Sequence, residues 1–174
     1  MVKVNTANGK KLRRPKSAEF CPQDRLTARH ARDILHGWNL LTLAIRNRTR
    51  GGLLAGRAGV ADTTWSRLVG LLNRGSLEAG EGLWIVPTAA IHTVGMRFPI
   101  DALFLGEMRD DGVGEKPRRV CRVRRVYREL PPWRLTRYVW GSESVLELPA
   151  GVVAASGTEV GDELEFQRAE FQRD

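Results

Sequence analysis

A polar loop that leads directly into an apolar strand carries most of the side chains in this chain that could do chemistry. In the stretch IHTVGMRFPIDALFL, residues 91–105, five of them fall within about ten positions: His92, Thr93, Met96, Arg97 and Asp101. A histidine titrates near neutral pH, so His92 could act as a general base or as a ligand. Arg97 could bind a carboxylate or a phosphate through two parallel hydrogen bonds, and Asp101 could orient His92. Binding sites are often built from loop side chains held at the end of a rigid strand, and we expect a site here.

A purely structural role explains the same residues. A histidine at a strand end can donate to a backbone carbonyl, and an Arg97–Asp101 pair could lock the loop onto the sheet. The prediction we adopt is a non-enzymatic binding or accessory domain with a polar pocket at this motif, which takes a small polar or anionic ligand or a protein partner. The PPWR run, residues 131–134, adds two residues at the rim of that pocket. The predicted ligand-binding residues are His92, Thr93, Met96, Arg97, Asp101, Trp133 and Arg134, and no catalytic residue is assigned.

A hydrolase-like enzyme is the first alternative, with His92 as base and Arg97 as stabiliser of an oxyanion. It lacks a nucleophile in the sequence, because there is no G-x-S-x-G elbow. The glycines of GGLLAGRAG, residues 51–59, do not form a phosphate-binding P-loop, since no Lys-Ser or Lys-Thr follows them. The residues therefore favour binding over catalysis.

The sequence predicts neither a metal site nor a cofactor. A catalytic zinc ion usually takes three protein ligands, and the two other histidines, His30 and His36, would point to different faces of a helix. The two cysteines, Cys21 and Cys121, stand outside any C-x-x-C pattern and are expected to be reduced thiols, with Cys121 a packing residue.

The positive charge is concentrated at the N-terminus. Of a net charge of +8, residues 1–37 hold +6, with nine basic and three acidic side chains. Nucleic-acid binding through this extension and the arginine-rich stretch 118–128 is the second alternative, and the nearly balanced body disfavours it. We expect no membrane span and no secretory signal, and therefore a cytoplasmic protein.

The order of apolar and turn residues predicts three parts: a basic N-terminal extension at 1–50 with a short helix at 24–36, a domain at 51–168 and a tail at 169–174. In the domain, Asp62 is the predicted N-cap of a helix whose apolar face holds Trp65, Leu68, Val69 and Leu72. Strands are expected near 53–60, 82–88, 100–105 and 160–167, with two more between 138 and 156. Residues 120–130 suit either a helix or a strand. This pattern predicts a compact, mainly antiparallel α+β or small-barrel domain.

Several of these runs closely resemble the domain-of-unknown-function family 192, a family of small prokaryotic domains. The runs are LWIVPTAAIHTVGMRFPIDALFL, WSRLVGLLNR, PPWR, SVLELPAG and GDELEF. The resemblance covers about residues 53–166. It implies a mainly β, partly closed barrel-like sheet with one packed helix, and it implies no activity, because none is established for the family. The basic extension and the longer loop at 107–119 depart from the family's pattern.

Overall fold

The computed structural model describes residues 42–72, 74–111 and 118–168. These residues form eight strands and two short helices. In chain order the elements are β1 (Leu43–Asn47), β2 (Leu53–Ala61), α1 (Thr64–Val69), β3 (Glu81–Ile85), β4 (Ile100–Leu105), β5 (Arg109–Asp110), β6 (Arg119–Leu130), β7 (Ser144–Pro149), α2 (Val152–Ser156) and β8 (Glu163–Arg168).

Seven of the strands close into a barrel. Their order is β4-β7-β3-β2-β1-β8-β6, and the pairing of β6 with β4 completes the circle, while β5 adds to β6. All neighbours are antiparallel except β2 and β3, which run parallel. The predicted mainly β, barrel-like fold is confirmed. Closure leaves no free edge along the seven strands, because each finds partners on both sides.

The two faces of the barrel strands pack in two separate apolar clusters. Side chains alternate between the faces of a strand, and on β7 the residues Leu146 and Leu148 belong to the barrel interior, whereas Val145 lies on the outer face. The interior cluster draws buried residues from six of the seven strands and from α2, and the partly buried Trp84 of β3 packs against it. The outer cluster covers one side of β3, β4, β6 and β7 and includes Leu71, Leu77, Ile91, Met96 and Val139 from the surrounding segments.

Helix α1 lies in this outer layer and begins where its capping residues require. The side-chain oxygen of Thr63 accepts from the backbone N–H of Ser66, and the side-chain oxygen of Ser66 accepts from the backbone N–H of Thr63. This reciprocal pair makes Thr63 the N-cap, one residue after the predicted Asp62. The predicted apolar face is not fully buried, since Trp65 and Leu68 are exposed. No residue of α1 is buried, and the outer layer is covered by Leu71 in the turn that follows the helix.

Two further segments bear on the sequence predictions: one settles a choice that was left open, and the other is a helix where a strand was predicted. Residues 119–130 are strand β6. Between 150 and 157 the chain forms the short helix α2 instead of a strand, flanked by Gly151 and Gly157, both in the left-handed region. Helix α2 brings Val153 into the interior cluster. Its glycines allow the sharp entry and exit that a strand would not need.

Several expectations concern the chain ends. Strand β1 precedes the boundary drawn near residue 50 and pairs with both β2 and β8. The predicted helix at 24–36, the tail at 169–174, and Cys21, His30 and His36 lie outside the described residues. Cys121 is buried in the barrel interior, and burial raises the pKa of its thiol to about 12, which suits a packing residue. In the described part of the chain, no helix is long and apolar enough to cross a membrane.

Candidate functional site

The loop that follows β3 is fixed to a second segment, residues 131–136, which we call the strap. Thr93 makes the connection. Its hydroxyl donates to the Pro131 carbonyl at 2.7 Å and accepts from the Arg134 N–H at 2.9 Å. Its own N–H donates to the Arg134 carbonyl at 2.8 Å, and its carbonyl accepts from the Trp133 N–H at 2.9 Å. Thr93 is fully buried, and all of its polar groups serve to hold the loop on the strap.

Asp101 lies on the other face of the sheet from this loop. One carboxylate oxygen accepts from the Glu129 N–H at 2.8 Å, and the other accepts from the Val153 N–H at 2.8 Å. Glu129 has a positive φ of 48°, and Val153 is in the first turn of α2. The carboxylate therefore ties a strained end of β6 and the start of α2 to β4. Its hydrogen bonds are to these amides and not to His92.

Three other predicted residues lie on the surface. Arg97 is exposed, and in the described part of the chain it takes part in no salt bridge or side-chain hydrogen bond. Trp133 is 67% exposed with a φ of 62°, and Arg134 next to it is exposed as well. The strap thus presents an aromatic and a cationic side chain to solvent.

A cavity of about 120 Å³ lies between α1 and the loop and opens to solvent on one side. Two of the predicted residues, His92 and Met96, line it. The remaining lining residues come from α1 and the turn after it, from the end of β3, from the loop and from β7: Arg67, Leu68, Val69, Gly70, Leu71, Leu72, Ile85, Pro87, Thr88, Ala90, Ile91 and Glu147. Most of the lining residues are apolar, as in most small-molecule sites, but polar atoms contribute almost as much of the cavity surface as apolar atoms do.

Glu147 is the functional candidate that the sequence reasoning missed. It stands in the middle strand of three, paired with Leu83 on β3 and with Ala102 on β4. The side chain is 3% exposed, and its Oε2 has no hydrogen-bond partner among the described residues. Burial raises the pKa of this carboxyl to about 8, so it is mainly protonated at neutral pH. The signal was present in the sequence as a single acid inside the apolar run VLEL, residues 145–148.

His92 brings a second polar atom without a partner to the same cavity. Its backbone forms an isolated bridge with Leu135, which holds this part of the loop against the strap. The ring Nδ1 is buried and has no hydrogen-bond partner in the described residues. Arg67 is half-buried, and its guanidinium donates to the carbonyls of Asp62 and Val86, both at 3.4 Å.

This arrangement can bind a ligand that satisfies two groups at once. A buried polar atom without a hydrogen bond costs about 1–3 kcal/mol, so the carboxyl of Glu147 and the imidazole of His92 both favour a polar ligand. Among the described residues there is no group of three or more His, Cys, Asp or Glu placed to hold a metal ion. The cavity offers two hydrogen-bonding groups without partners among the described residues, and the charged side chain of Arg67 also lines it.

The comparison with known families agrees with the resemblance in the sequence. The profile of the domain-of-unknown-function family 192 (DUF192), described as "Uncharacterized ACR", matches residues 45–166, well over half of the chain. The chain belongs to the DUF192 family. A curated relative, a UPF0127 protein of Thermococcus sibiricus, is 29% identical over 126 residues, which cover 70% of this chain and 73% of the relative. The residues that the family profile matches include the loop, the strap, α1 and Glu147.

Two solved structures have the same fold as this DUF192 domain. One is a protein of unknown function from Novosphingobium aromaticivorans, with a TM-score of 0.56 and 22% identity, covering 71% of this chain and 82% of that one. The other is a protein of Sinorhizobium meliloti, provisionally described as a transcription regulator. Its TM-score is also 0.56 at 21% identity, covering 75% of this chain and 95% of that one. At this level of identity the likeness concerns the fold alone.

Proposed function

We propose that this DUF192 domain is a non-enzymatic binding domain whose small polar ligand occupies the cavity between α1 and the loop. One observation carries the proposal: two buried polar atoms without partners, Glu147 Oε2 and His92 Nδ1, belong to residues that line the same cavity. Nearly all buried polar groups in folded proteins are hydrogen-bonded, and exceptions often mark functional positions. A ligand with hydrogen-bonding groups would supply both missing partners.

Binding is better supported than hydrolysis because the cavity wall lacks a free nucleophile. Thr88 carries the one hydroxyl among the lining residues, and it donates to the Ala90 carbonyl at 2.6 Å. Cys121 is in the barrel interior, where burial raises the pKa of its thiol. Arg97, the predicted stabiliser of an oxyanion, is not among the lining residues. An activated nucleophile needs a neighbouring base or a lowered pKa, and these candidates have neither.

The arginine-rich strand gives less support to nucleic-acid binding than its sequence suggests. Arg118 pairs with Glu165, and Arg122 pairs with Glu163. Phosphate binding depends on positive charge that is free to replace counterions. Part of the charge on β6 is therefore already neutralised by β8.

The test is a thermal-stability screen of the full chain against small polar compounds, including amines, amides, alcohols, carboxylic acids and sugars. A compound that binds the native state alone, at a hundred times its dissociation constant, adds about 2.7 kcal/mol to the unfolding free energy. We expect at least one class to raise the melting temperature, and His92→Ala to abolish the rise.

Arg97→Ala is the matched control, because it changes the same loop at an exposed position away from the cavity. It should leave the rise intact. If no class stabilises the wild-type protein, or if stabilisation persists unchanged in His92→Ala and in Glu147→Gln, the cavity is not the binding site and the proposal fails.

A further inference from the structure

The chemistry of the cavity wall narrows the ligand class, on the premise that the cavity is the binding site proposed above. Glu147 is the one carboxyl among the lining residues, and it lies against the sheet between Leu83 and Ala102. The other titratable side chains of the wall are Arg67, on α1, and His92, on the loop. The guanidinium of Arg67 donates to two backbone carbonyls and keeps its positive charge. The two polar atoms of the wall that lack a partner among the described residues are Oε2 of Glu147 and Nδ1 of His92.

We infer that the ligand carries a primary ammonium group, which binds Glu147 as a carboxylate and expels its proton to solvent. An ammonium nitrogen has three N–H donors and no acceptor. It therefore has a donor for each of the two atoms without partners, Oε2 of Glu147 and Nδ1 of His92, when the imidazole is neutral with its proton on Nε2. The balance is simple: the protonated acid and the ammonium ion give an ion pair and one released proton.

Burial favours a ligand that can pair with Glu147. A buried carboxylate without a partner is costly, and it becomes favourable when an opposite charge forms hydrogen bonds with it. An anion would instead have to bind the guanidinium of Arg67, which keeps its positive charge while it donates to the carbonyls of Asp62 and Val86. Acetate is included among the probes below to test that alternative. A neutral amide could bond to both atoms, but it would leave Glu147 protonated.

The size of the cavity limits the group that enters it. A volume of about 120 Å³ has room for a small polar group, since a single water molecule needs far less. That space suits an ammonium with one or two carbons, which the side chains of Leu71, Ile85 and Met96 can cover. A longer chain would extend to solvent through the open side of the cavity.

The experiment is calorimetric titration of the full chain with ethylammonium chloride, in phosphate and in HEPES, two buffers that differ in ionisation enthalpy and carry no primary amine. Ethanol, acetamide and sodium acetate serve as matched neutral and anionic probes. At pH 7 we expect ethylammonium to bind with release of about one proton, because the pKa of Glu147 in the free protein is about 8. Affinity should rise about tenfold per pH unit between pH 6 and 7.5 and level off above pH 8.

Glu147→Gln keeps the shape of the side chain and removes the ionisable group. It should bind ethylammonium at least about tenfold more weakly, as expected when one hydrogen-bonded charge pair is lost, and without proton release. Because the pH dependence is measured on the wild-type protein, the test stands even if the variant folds poorly.

The outcomes separate this inference from the proposed function. Binding of ethylammonium without proton release, or preferential binding of acetate or acetamide that is lost in His92→Ala, would overturn the ammonium assignment and leave the cavity as a binding site. Failure of all four probes, together with no stabilising compound in the wider screen, would overturn both. Ethylammonium binding that is equally strong in Glu147→Gln would place the amine elsewhere on the protein and would also refute the assignment.

Discussion

Asp101 and Glu147 are buried acids on neighbouring strands, and they differ in what surrounds them. The pairing of β4 with β7 places them one position apart, since Asp101 pairs with Leu148 and Glu147 pairs with Ala102. Asp101 is on the interior side and accepts two backbone N–H groups at 2.8 Å. Glu147 is on the outer side and has no hydrogen bond among the described residues. The same sheet thus has one acid that is satisfied by the fold and one that is not.

Whether a buried acid has hydrogen-bond partners separates a structural residue from a candidate binding residue more clearly than the residue type does. A carboxylate whose oxygens are fully used by backbone amides is committed to the fold, and few groups are left to meet a ligand. A carboxyl without a partner at a cavity wall lowers stability, and a ligand can recover that loss. The sequence motif around His92 contains both kinds of residue, because Thr93 is committed in the same way as Asp101.

The largest expected effect is the loss of the satisfied acid. Asp101→Ala leaves two backbone N–H groups without acceptors, the buried one of Val153 and the part-buried one of Glu129. At about 1–3 kcal/mol for each group, the free energy of unfolding should fall by about 4 kcal/mol. Urea denaturation measures it, with Glu143→Ala as a control that removes an exposed acid and should change stability by less than about 0.5 kcal/mol. A loss below about 1 kcal/mol for Asp101→Ala would mean that its two hydrogen bonds are not what holds the end of β6 and the start of α2 to β4.

The next effect is a pH dependence that Glu147 alone should cause. Its pKa is raised from 4.5 to about 8 in the folded protein, so between these values the native state holds a proton that the unfolded state has lost. Stability therefore falls as pH rises through this window, by about 3 kcal/mol between about pH 5.5 and 7.5. Glu147→Gln removes the titration, and its stability profile should lack this slope. If the stability of the wild-type protein and of Glu147→Gln changed with pH in the same way, Glu147 would not be buried in its protonated form.

Much of the fold was predictable because it follows from local patterns, and the exceptions have identifiable causes. Strand β4 was predicted with its observed bounds, since an apolar run after a proline is a simple signal. Residues 119–130 were ambiguous because Val120, Val123 and Val126 recur every three positions. The irregular register opposite Phe104 and Leu105 explains it: these residues pair with Arg125 and Val123, so Arg124 is an extra residue that shifts the alternation.

The site was less predictable because it depends on which face of the sheet each residue takes. Asp101 and His92 are near in sequence, and nothing local shows that the acid points into the barrel. Glu147 lies 55 positions after His92 in the chain, and only the β4–β7 and β3–β7 pairings place it under the loop. The strap was anticipated through Trp133 and Arg134, but its hydrogen bonds to Thr93 come from backbone groups that carry no sequence signal.

The smallest expected effect sharpens the comparison within the loop itself. Arg97 and Met96 are adjacent, yet Met96 is buried in the cavity wall and Arg97 is exposed with no side-chain partner in the described part of the chain. Arg97→Ala should change the unfolding free energy by less than about 0.5 kcal/mol, whereas Met96→Ala should cost about 3 kcal/mol through the enlarged cavity. Ligand affinity, measured by calorimetry, should be unchanged in Arg97→Ala. If Arg97→Ala weakened ligand binding by more than about tenfold, about 1.4 kcal/mol, the ligand would have to extend from the cavity to the loop surface. The guanidinium of Arg97 would then contact the ligand, although it has no side-chain partner among the described residues.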